Sequence, residues 1–336
     1  MAKSSKKVLF YLIPVPLILA SLFVGPSDQV RPEHIARWVL QHFSPASGSA
    51  SPDLLVEAIL LDVRLPRVIL AFLVGAALTV SGNALQALFR NPLVAPEILG
   101  LSSGAAFGAA LALSLGFLPL QGTAFVFGLL AVGLSYFLAL TRKGVSIVSL
   151  ILAGVIISGV FTALLTMVQF LTDPFKLQTI VHWTMGNLHT ASWTKVRSAS
   201  LPIIIGCGWL FVVRWRMNVI ALGDEETRAV GLNPEREKLL ILIPATLVAS
   251  ASVAVAGIIG LVGLAFPHMV RMMVGPDNRI TMPVSFAFGG SFLLLVDNFS
   301  RTIASFEIPL GIFTTLIGGP FFIYLLKKNR MQYPDA

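Results

Sequence analysis

Long apolar runs separated by short polar segments make up most of this chain. A helix needs about 20 mostly apolar residues to cross the hydrocarbon core of a membrane. Ten runs approach that length, and we predict a membrane-spanning helix in each, at approximately 8–24, 65–89, 98–118, 123–140, 147–171, 196–213, 239–256, 258–274, 281–299 and 308–326. The linkers are too short to separate domains. We therefore predict an all-α fold, a single polytopic membrane domain with about ten transmembrane helices over residues 1–336.

Two longer breaks between the apolar runs carry helical patterns of their own. Within residues 25–63, the stretch 32–43 places its apolar side chains on one helix face: Ile35, Trp38, Val39 and Phe43. This pattern predicts a short helix lying at the membrane interface, and we predict a second one within 173–193. The basic start followed by the run 8–24 is similar to a signal peptide, but it has no clear small-residue cleavage site. We predict an uncleaved first helix.

Composition narrows the class of protein. A mean hydropathy of +0.85 with 56% hydrophobic and 12% charged residues excludes an ordinary soluble domain. The single cysteine, Cys207, lies in an apolar run, so neither disulfides nor a thiolate metal site is expected. The net charge is +8, but the basic residues lie at span ends rather than in one patch, which argues against a nucleic-acid partner. No GxxxxGK[ST] phosphate loop is present, so we expect no ATP site and no cofactor in this chain.

The distribution of basic residues predicts the orientation, because Lys and Arg are enriched on the cytoplasmic side of membranes. With the N-terminus inside, sixteen of the 24 Lys and Arg residues are cytoplasmic, and eight are outside: Arg31, Arg37, Arg64, Arg67, Lys176, Lys195, Arg197 and Arg301. We therefore predict that both termini are cytoplasmic. Small residues crowd four stretches, 75–82, 99–110, 153–159 and 257–263, and predict close helix packing there.

The most charged stretch between two spans is residues 214–238, which we call the polar island. It contains ten of the 40 Lys, Arg, Asp and Glu residues. Two very short helices are predicted here. The first begins with an acidic turn and ends at Gly231, which suits the left-handed conformation, and the second begins at Asn233-Pro234 as its cap. Four apolar residues interrupt the charges, namely Leu222, Ala229, Val230 and Leu232. This mixture is typical of a surface held by another protein, although a solvated connector has the same composition.

Several stretches, taken in order, resemble one family. They are VRLPRVILAFLVGAAL, SGNALQALFRNPLVAPEILGLSSGA, LAGVIISG, GDEETRAVGL, GIIGLVGLAFPHMVRMMVGPDNR, LVDNFSRTI and EIPLGIFTTLIGGPFFIYLL. Together they resemble the permease subunits of ATP-driven importers for iron-siderophores, haem and vitamin B12, the FecCD-type subunits of type II ABC importers. The resemblance covers about residues 62–328.

The resemblance implies the partners and the location. It implies a second permease copy, two cytoplasmic ATPase subunits that bind ATP and Mg, and an extracytoplasmic substrate-binding protein. The expected location is the bacterial cytoplasmic (inner) membrane, and the chain itself is expected to be a transporter subunit and not an enzyme. The ligand stays open among iron-siderophore, haem, cobalamin and oxyanion, and so does the choice between a homodimer and a heterodimer.

The resemblance also implies roles for three groups of residues. The resemblance implies that residues 222–238 couple the chain to the ATPase, in particular Leu222, Gly223, Asp224, Glu225, Ala229, Gly231 and Leu232. A cytoplasmic gate falls on Asn91, Leu93, Ser146 and Val148, although the proline after Asn91 by itself indicates only a turn. Docking of the binding protein falls on Arg64, Arg67 and Arg301, for which anchoring in lipid headgroups is the alternative.

Other candidate chemistry is weaker. His268 lies within a span, where we expect a structural hydrogen bond rather than metal ligation. The i,i+4 spacing of Asp297 and Arg301 predicts a pair on one helix face. A self-contained secondary carrier or an intramembrane enzyme is the alternative function. A carrier requires ionisable groups at the membrane midplane, and an intramembrane protease requires paired Asp, or Ser with His, at depth. The sequence offers no convincing example of either.

Overall fold

The computed structural model describes residues 12–25, 30–43, 54–141, 144–304 and 306–332. The α-helices of this part are α1 Pro14–Phe23, α2 Pro32–Phe43, α3 Leu54–Ala58, α4 Leu65–Phe89, α5 Leu101–Leu115, α6 Leu120–Ala139, α7 Ile147–Leu171, α8 Pro174–Thr184, α9 Trp193–Ile220, α10 Asp224–Ala229, α11 Pro234–Ala256, α12 Val262–Val274, α13 Asn278–Ser300 and α14 Leu310–Gln332. A π-helical turn, Ile59–Arg64, joins α3 to α4, and a 3-10 turn, Pro96–Leu99, precedes α5. Between α6 and α7, β1 Leu140–Thr141 pairs antiparallel with β2 Gly144–Val145, with Leu140 opposite Val145.

The prediction of a polytopic all-α fold is confirmed. Among the described residues, six helical segments are long and apolar enough to cross a membrane: the continuous Leu54–Phe89, then α6, α7, α9, α11 and α13. Four shorter apolar helices are α1, α5, α12 and the Leu310–Pro320 part of α14. Together these ten coincide with the predicted spans. The start of the first predicted span, residues 8–11, lies outside the described residues, and the extent of one domain over 1–336 stays a prediction.

The two predicted interfacial helices are present as α2 and α8. The apolar face of α2, however, packs on protein rather than lying free at a membrane interface. Ile35 is buried in a small cluster with Val30, Val56 and Leu60, and Trp38 and Val39 pack against that cluster. The reason is that α3 and the following π-helical turn present apolar side chains of their own to this face of α2.

The helix α4 lies at the centre of the bundle and contacts α9, α11, α12 and α13. Two of these contacts depend on glycine. A Cβ at Gly75 would meet the carbonyl oxygen of Gly289 in α13, and a Cβ at Gly82 would meet that of Gly263 in α12. Backbones approach this closely only where side chains are absent. The predicted packing role of the small-residue stretches at 75–82 and 257–263 is therefore confirmed.

Candidate functional site

The polar island contains one short helix, not two. The short helix is α10, and Gly231 after it has φ +82, the left-handed conformation expected from the sequence. Asn233 caps the next helix by accepting from the backbone N–H groups of Glu235 and Arg236. That helix is α11, which continues to Ala256. The expected second short helix is thus the first turns of a span, because no glycine or cap residue follows Lys238 to end it.

The carboxylate of Asp224, at the first position of α10, joins two distant parts of the chain. It accepts a hydrogen bond from Lys238 Nζ at 2.8 Å and another from Arg90. Arg90 ends α4 in the left-handed conformation (φ 52) and directly precedes Asn91. Burial opposes ionisation of Asp224, but the hydrogen bonds and charges of Lys238 and Arg90 outweigh it and hold the pKa of this carboxyl below its ordinary value.

Lys238 connects α11 to the start of α7. Lys238 is only 7% exposed, and its ammonium also contacts Glu235 Oε1 at 2.9 Å and the carbonyl oxygen of Val145 at 3.3 Å. Glu235 Oε2 in turn accepts from the Val145 N–H at 3.1 Å. Val145 ends β2 and directly precedes Ser146. We call the side chains of Arg90, Asp224, Glu235 and Lys238, with the backbone of Val145, the Lys238 network.

The predicted gate residues flank this network on both sides. Asn91 Oδ1 accepts from the Leu93 N–H at 2.9 Å, which fixes a tight turn after α4. Leu93 is 45% exposed and Val148, in the first turn of α7, is 65% exposed. Ser146 is the N-cap residue of α7, without a side-chain cap hydrogen bond. The gate role of these four residues stays a prediction, but the network gives both segments a direct connection to α10.

The outer surface of the polar island carries apolar side chains among its charged ones, and no other described residue covers them. Leu222 is 70% exposed and Val230 is 62% exposed, and Ala229 is exposed between them. Gly223 is buried, and Thr227 donates a hydrogen bond to its carbonyl oxygen. Exposed apolar side chains on a folded, charged element are typical of a surface that binds another protein.

Sequence reasoning missed a cluster of three asparagines next to the island, of which Asn83 and Asn278 are buried and Asn218 is partly buried. Asn218 of α9 donates to Asp277 Oδ1 at 2.7 Å and accepts from the Asn278 N–H at 2.8 Å. Asn83 of α4 donates to Asn278 Oδ1 at 3.0 Å. Because α4, α9 and α13 are tied together here, the base of the island is fixed to the bundle core. The available signal was an amide residue, Asn83, in the middle of an apolar run.

At the opposite end of the bundle, the three arginines with a predicted docking role are buried. Arg67 contacts both Asp297, with Nη2 to Oδ1 at 2.9 Å, and Glu307, with Nη1 to Oε1 at 2.7 Å. Arg301 donates to the carbonyl oxygen of Ser21, and its Nε lies 3.6 Å from Asp297, which confirms the predicted i,i+4 pair.

Arg64 does not point the same way as Arg67. It donates instead to the carbonyl oxygens of Leu22, at the end of α1, and Val30, just before α2. The π-helical turn that ends at Arg64 breaks the i,i+3 register expected of an α-helix. All three guanidinium groups therefore have partners inside the subunit, and their docking role stays a prediction.

Comparison with known proteins gives a consistent result. The model of the FecCD transport family matches residues 12–328. The molybdate import system permease protein MolB of Haemophilus influenzae is 37% identical over 83% of this chain and 85% of its own length. A probable iron chelatin transport system permease of Helicobacter pylori is 40% identical, over 82% and 84%. The hemin transport system permease HmuU of Yersinia pestis is 38% identical, over 81% and 84%.

A solved structure has the same architecture. An inward-facing conformation of a metal-chelate type ABC transporter superposes with a TM-score of 0.83 at 34% identity, covering 97% of this chain and 99% of that one. The likeness extends over nearly the whole length of both chains, so it covers the polar island as well as the spans.

Proposed function

Because this chain belongs to the FecCD transport family, we propose that it is the membrane permease of an ATP-driven importer whose segment 222–238 receives the motion of a separate ATPase subunit. Membership in this family removes the support for a self-contained carrier or an intramembrane enzyme. The chain is a multi-pass membrane protein with several apolar helices.

The observation that supports the coupling role best is the Lys238 network. If an ATPase binds the exposed apolar side chains of α10, a movement of the ATPase displaces Asp224, because Asp224 is the first residue of that helix. Asp224 is hydrogen-bonded to Arg90, which precedes one gate segment, and to Lys238, which contacts the backbone before the other. One displacement thus reaches both gate segments through charge-assisted hydrogen bonds, which are the stronger kind.

Further partners are proposed from surfaces that this chain leaves open. One face of α7 exposes Leu152, Val155 and Ile156, each about 60% accessible. A second permease copy is the proposed occupant, because two subunits facing each other then enclose a path between their α7 helices. An extracytoplasmic binding protein is the proposed source of the ligand at the end of the bundle that carries Arg67.

The ligand class follows from what the relatives are named for. They include permeases named for molybdate, an iron chelate and haem. We propose a metal chelate or a metal oxyanion, bound outside by the binding protein and released to the cytoplasm. The measurement that tests the whole proposal is nucleotide-driven uptake by proteoliposomes that contain this chain, its ATPase and its binding protein.

Ala229→Asp is expected to weaken association with the ATPase by about tenfold or more, because a carboxylate buried against a partner without a counter-charge carries a desolvation cost. Co-purification of tagged permease with the ATPase measures the association. Thr194→Asp is the matched control, since Thr194 is an exposed small residue at the opposite end of the bundle and lies before the predicted span 196–213. Equal recovery of ATPase with Ala229→Asp and with wild type would show that α10 is not the docking surface.

Both termini are expected in the cytoplasm. Single cysteines replace Ser5, Gly48 and Gln332 in turn, in a Cys207→Ser background, and an impermeant thiol reagent is added to spheroplasts. Residues 5 and 48 lie outside the described residues, so this experiment supplies their location. Only position 48 is expected to react from outside. Reaction at position 332 before the membrane is opened would reverse the orientation.

A further inference from the structure

A cavity of about 370 Å³ opens at the end of the bundle that carries Arg67. Its walls come from the ends of α5, α6, α8, α9 and α11. The polar residues that line it include Gln178, His182, Asn187, His189, Thr190 and Lys195. We call it the Lys195 cavity. A second cavity, of about 340 Å³, shares His182, Asn187 and His189 with it and extends toward Glu307.

Lys195 brings a positive charge into this cavity without a described counter-charge. Its ammonium donates to Thr190 Oγ1 and to the carbonyl oxygen of Val255, and no carboxylate of the described residues lies within 4 Å. An ammonium has three donors, so one is left for a ligand. The Val255 contact, in the last turn of α11, also places the charge at a helix C-terminus, where it is favoured.

Two imidazoles add further donors beside Lys195. The rings of His182 and His189 meet edge to face, with centroids 4.9 Å apart. Within the described residues, the His189 ring has no hydrogen-bond partner. Burial, and then the neighbouring His182, lower the pKa of His189, so its imidazole is neutral at neutral pH and offers one N–H. Asn187 donates to the His182 carbonyl oxygen and keeps this turn in place.

The acidic group nearest to these rings is already engaged. Glu307 lines the second cavity, but both of its oxygens accept hydrogen bonds from Arg67, at 2.7 and 3.0 Å. Its negative charge therefore does not neutralise Lys195. A concave site with the Lys195 ammonium, several further hydrogen-bond donors and no free carboxylate among the described lining residues selects for anions.

We propose that the Lys195 cavity binds an anionic group of the transported ligand, a carboxylate or an oxyanion, as the ligand enters the permease. The entry step rests on the proposed import function, but the binding of an anion does not. The site differs from the Lys238 network in position and in chemistry, since it lies at the other end of the bundle.

Lysine acylation measured by mass spectrometry tests the proposal on the unmodified sequence. The purified full-length permease, without ATPase, is treated with an acylating reagent at increasing concentrations of molybdate or of citrate, with glucose as the uncharged probe. Both anions are expected to protect Lys195 saturably, and glucose is not. Lys176 is the internal control, because it lies at the same end in α8, is exposed, and does not line the cavity.

Calorimetry on variants completes the test. Lys195→Gln is expected to weaken molybdate or citrate binding by about tenfold or more, whereas Lys176→Gln leaves it unchanged. Absence of saturable protection by either anion, or equal affinity in wild type and Lys195→Gln, overturns the proposal and returns Lys195 to capping α11. Because the ATPase is absent, these results are independent of whether coupling occurs at α10.

Discussion

Lys238→Met is expected to abolish most ligand uptake while the transporter still assembles and hydrolyses ATP. Methionine keeps the apolar stem of lysine but removes the ammonium that joins Asp224, Glu235 and the Val145 carbonyl. Each hydrogen bond to a charged group contributes about 1.5–3 kcal/mol, so the loss of even one changes a coupling equilibrium by about tenfold or more. The measurement pairs ATPase activity with uptake in the same proteoliposomes.

The matched control for this variant is Arg236→Met. Arg236 lies two residues away on the same helix and is exposed, and its described contact is the backbone one with Asn233. The Arg236→Met substitution therefore removes an equal charge from the same surface without disturbing the Lys238 network. A second arm exchanges the charges, with Asp224→Lys and Lys238→Asp combined, and partial recovery relative to the single variants would identify direct pairing. Uptake that falls equally in Lys238→Met and Arg236→Met would mean that surface charge, and not the network, is responsible.

The local features of the polar island were predictable, whereas its network was not. The Asn233-Pro234 cap and the left-handed Gly231 are signals that operate within a few residues, and both are present. Asp224 and Arg90 are 134 positions apart, and Lys238 and Val145 are 93 apart. No periodicity connects residues at such distances. The resemblance to a family implied a coupling role and a gate role for two separate groups of residues. It did not predict the contacts between these groups.

The second short helix was predicted wrongly because the sequence has no signal that ends this helix near Lys238. The first turns of α11 carry charges and then continue into an apolar run. A change from charged to apolar residues marks a membrane boundary, but it does not end a helix, because the backbone hydrogen bonds continue unchanged. The helix therefore continues past Lys238, where only its environment changes.

The arginines at the other end show the same limit for side-chain partners. The i,i+4 spacing was sufficient to predict the Asp297–Arg301 pair. The partners of Arg67 lie 230 and 240 positions away, so the sequence alone shows Arg67 at a span end without its acidic partners. A basic residue without a visible acidic partner is compatible with docking of another protein and with anchoring in lipid headgroups. The burial of these arginines in the structure makes a structural role the first to be tested.

Arg67→Met is expected to lower the stability of the subunit markedly, because it leaves the carboxylate of Asp297, which is fully buried, without its bidentate partner. Breaking a buried ion pair by removing one member typically costs about 3–5 kcal/mol. The unfolding midpoint of the purified protein in a fixed detergent measures this loss. Arg197→Met, at an exposed position in the first turns of α9, is the matched control and is expected to unfold as wild type does.

The same variant separates the structural role from docking. If Arg67 mainly stabilises the subunit, removing both charges with Arg67→Met and Asp297→Leu together recovers part of the lost stability, since a buried pair replaced by apolar residues is often neutral. Association with the binding protein should then return along with the fold. If Arg67 mainly serves docking, Arg67→Met has a normal unfolding midpoint and a slower, less salt-dependent association, and the double variant does not restore it. A normal midpoint in Arg67→Met would contradict the buried ion pair as a source of stability.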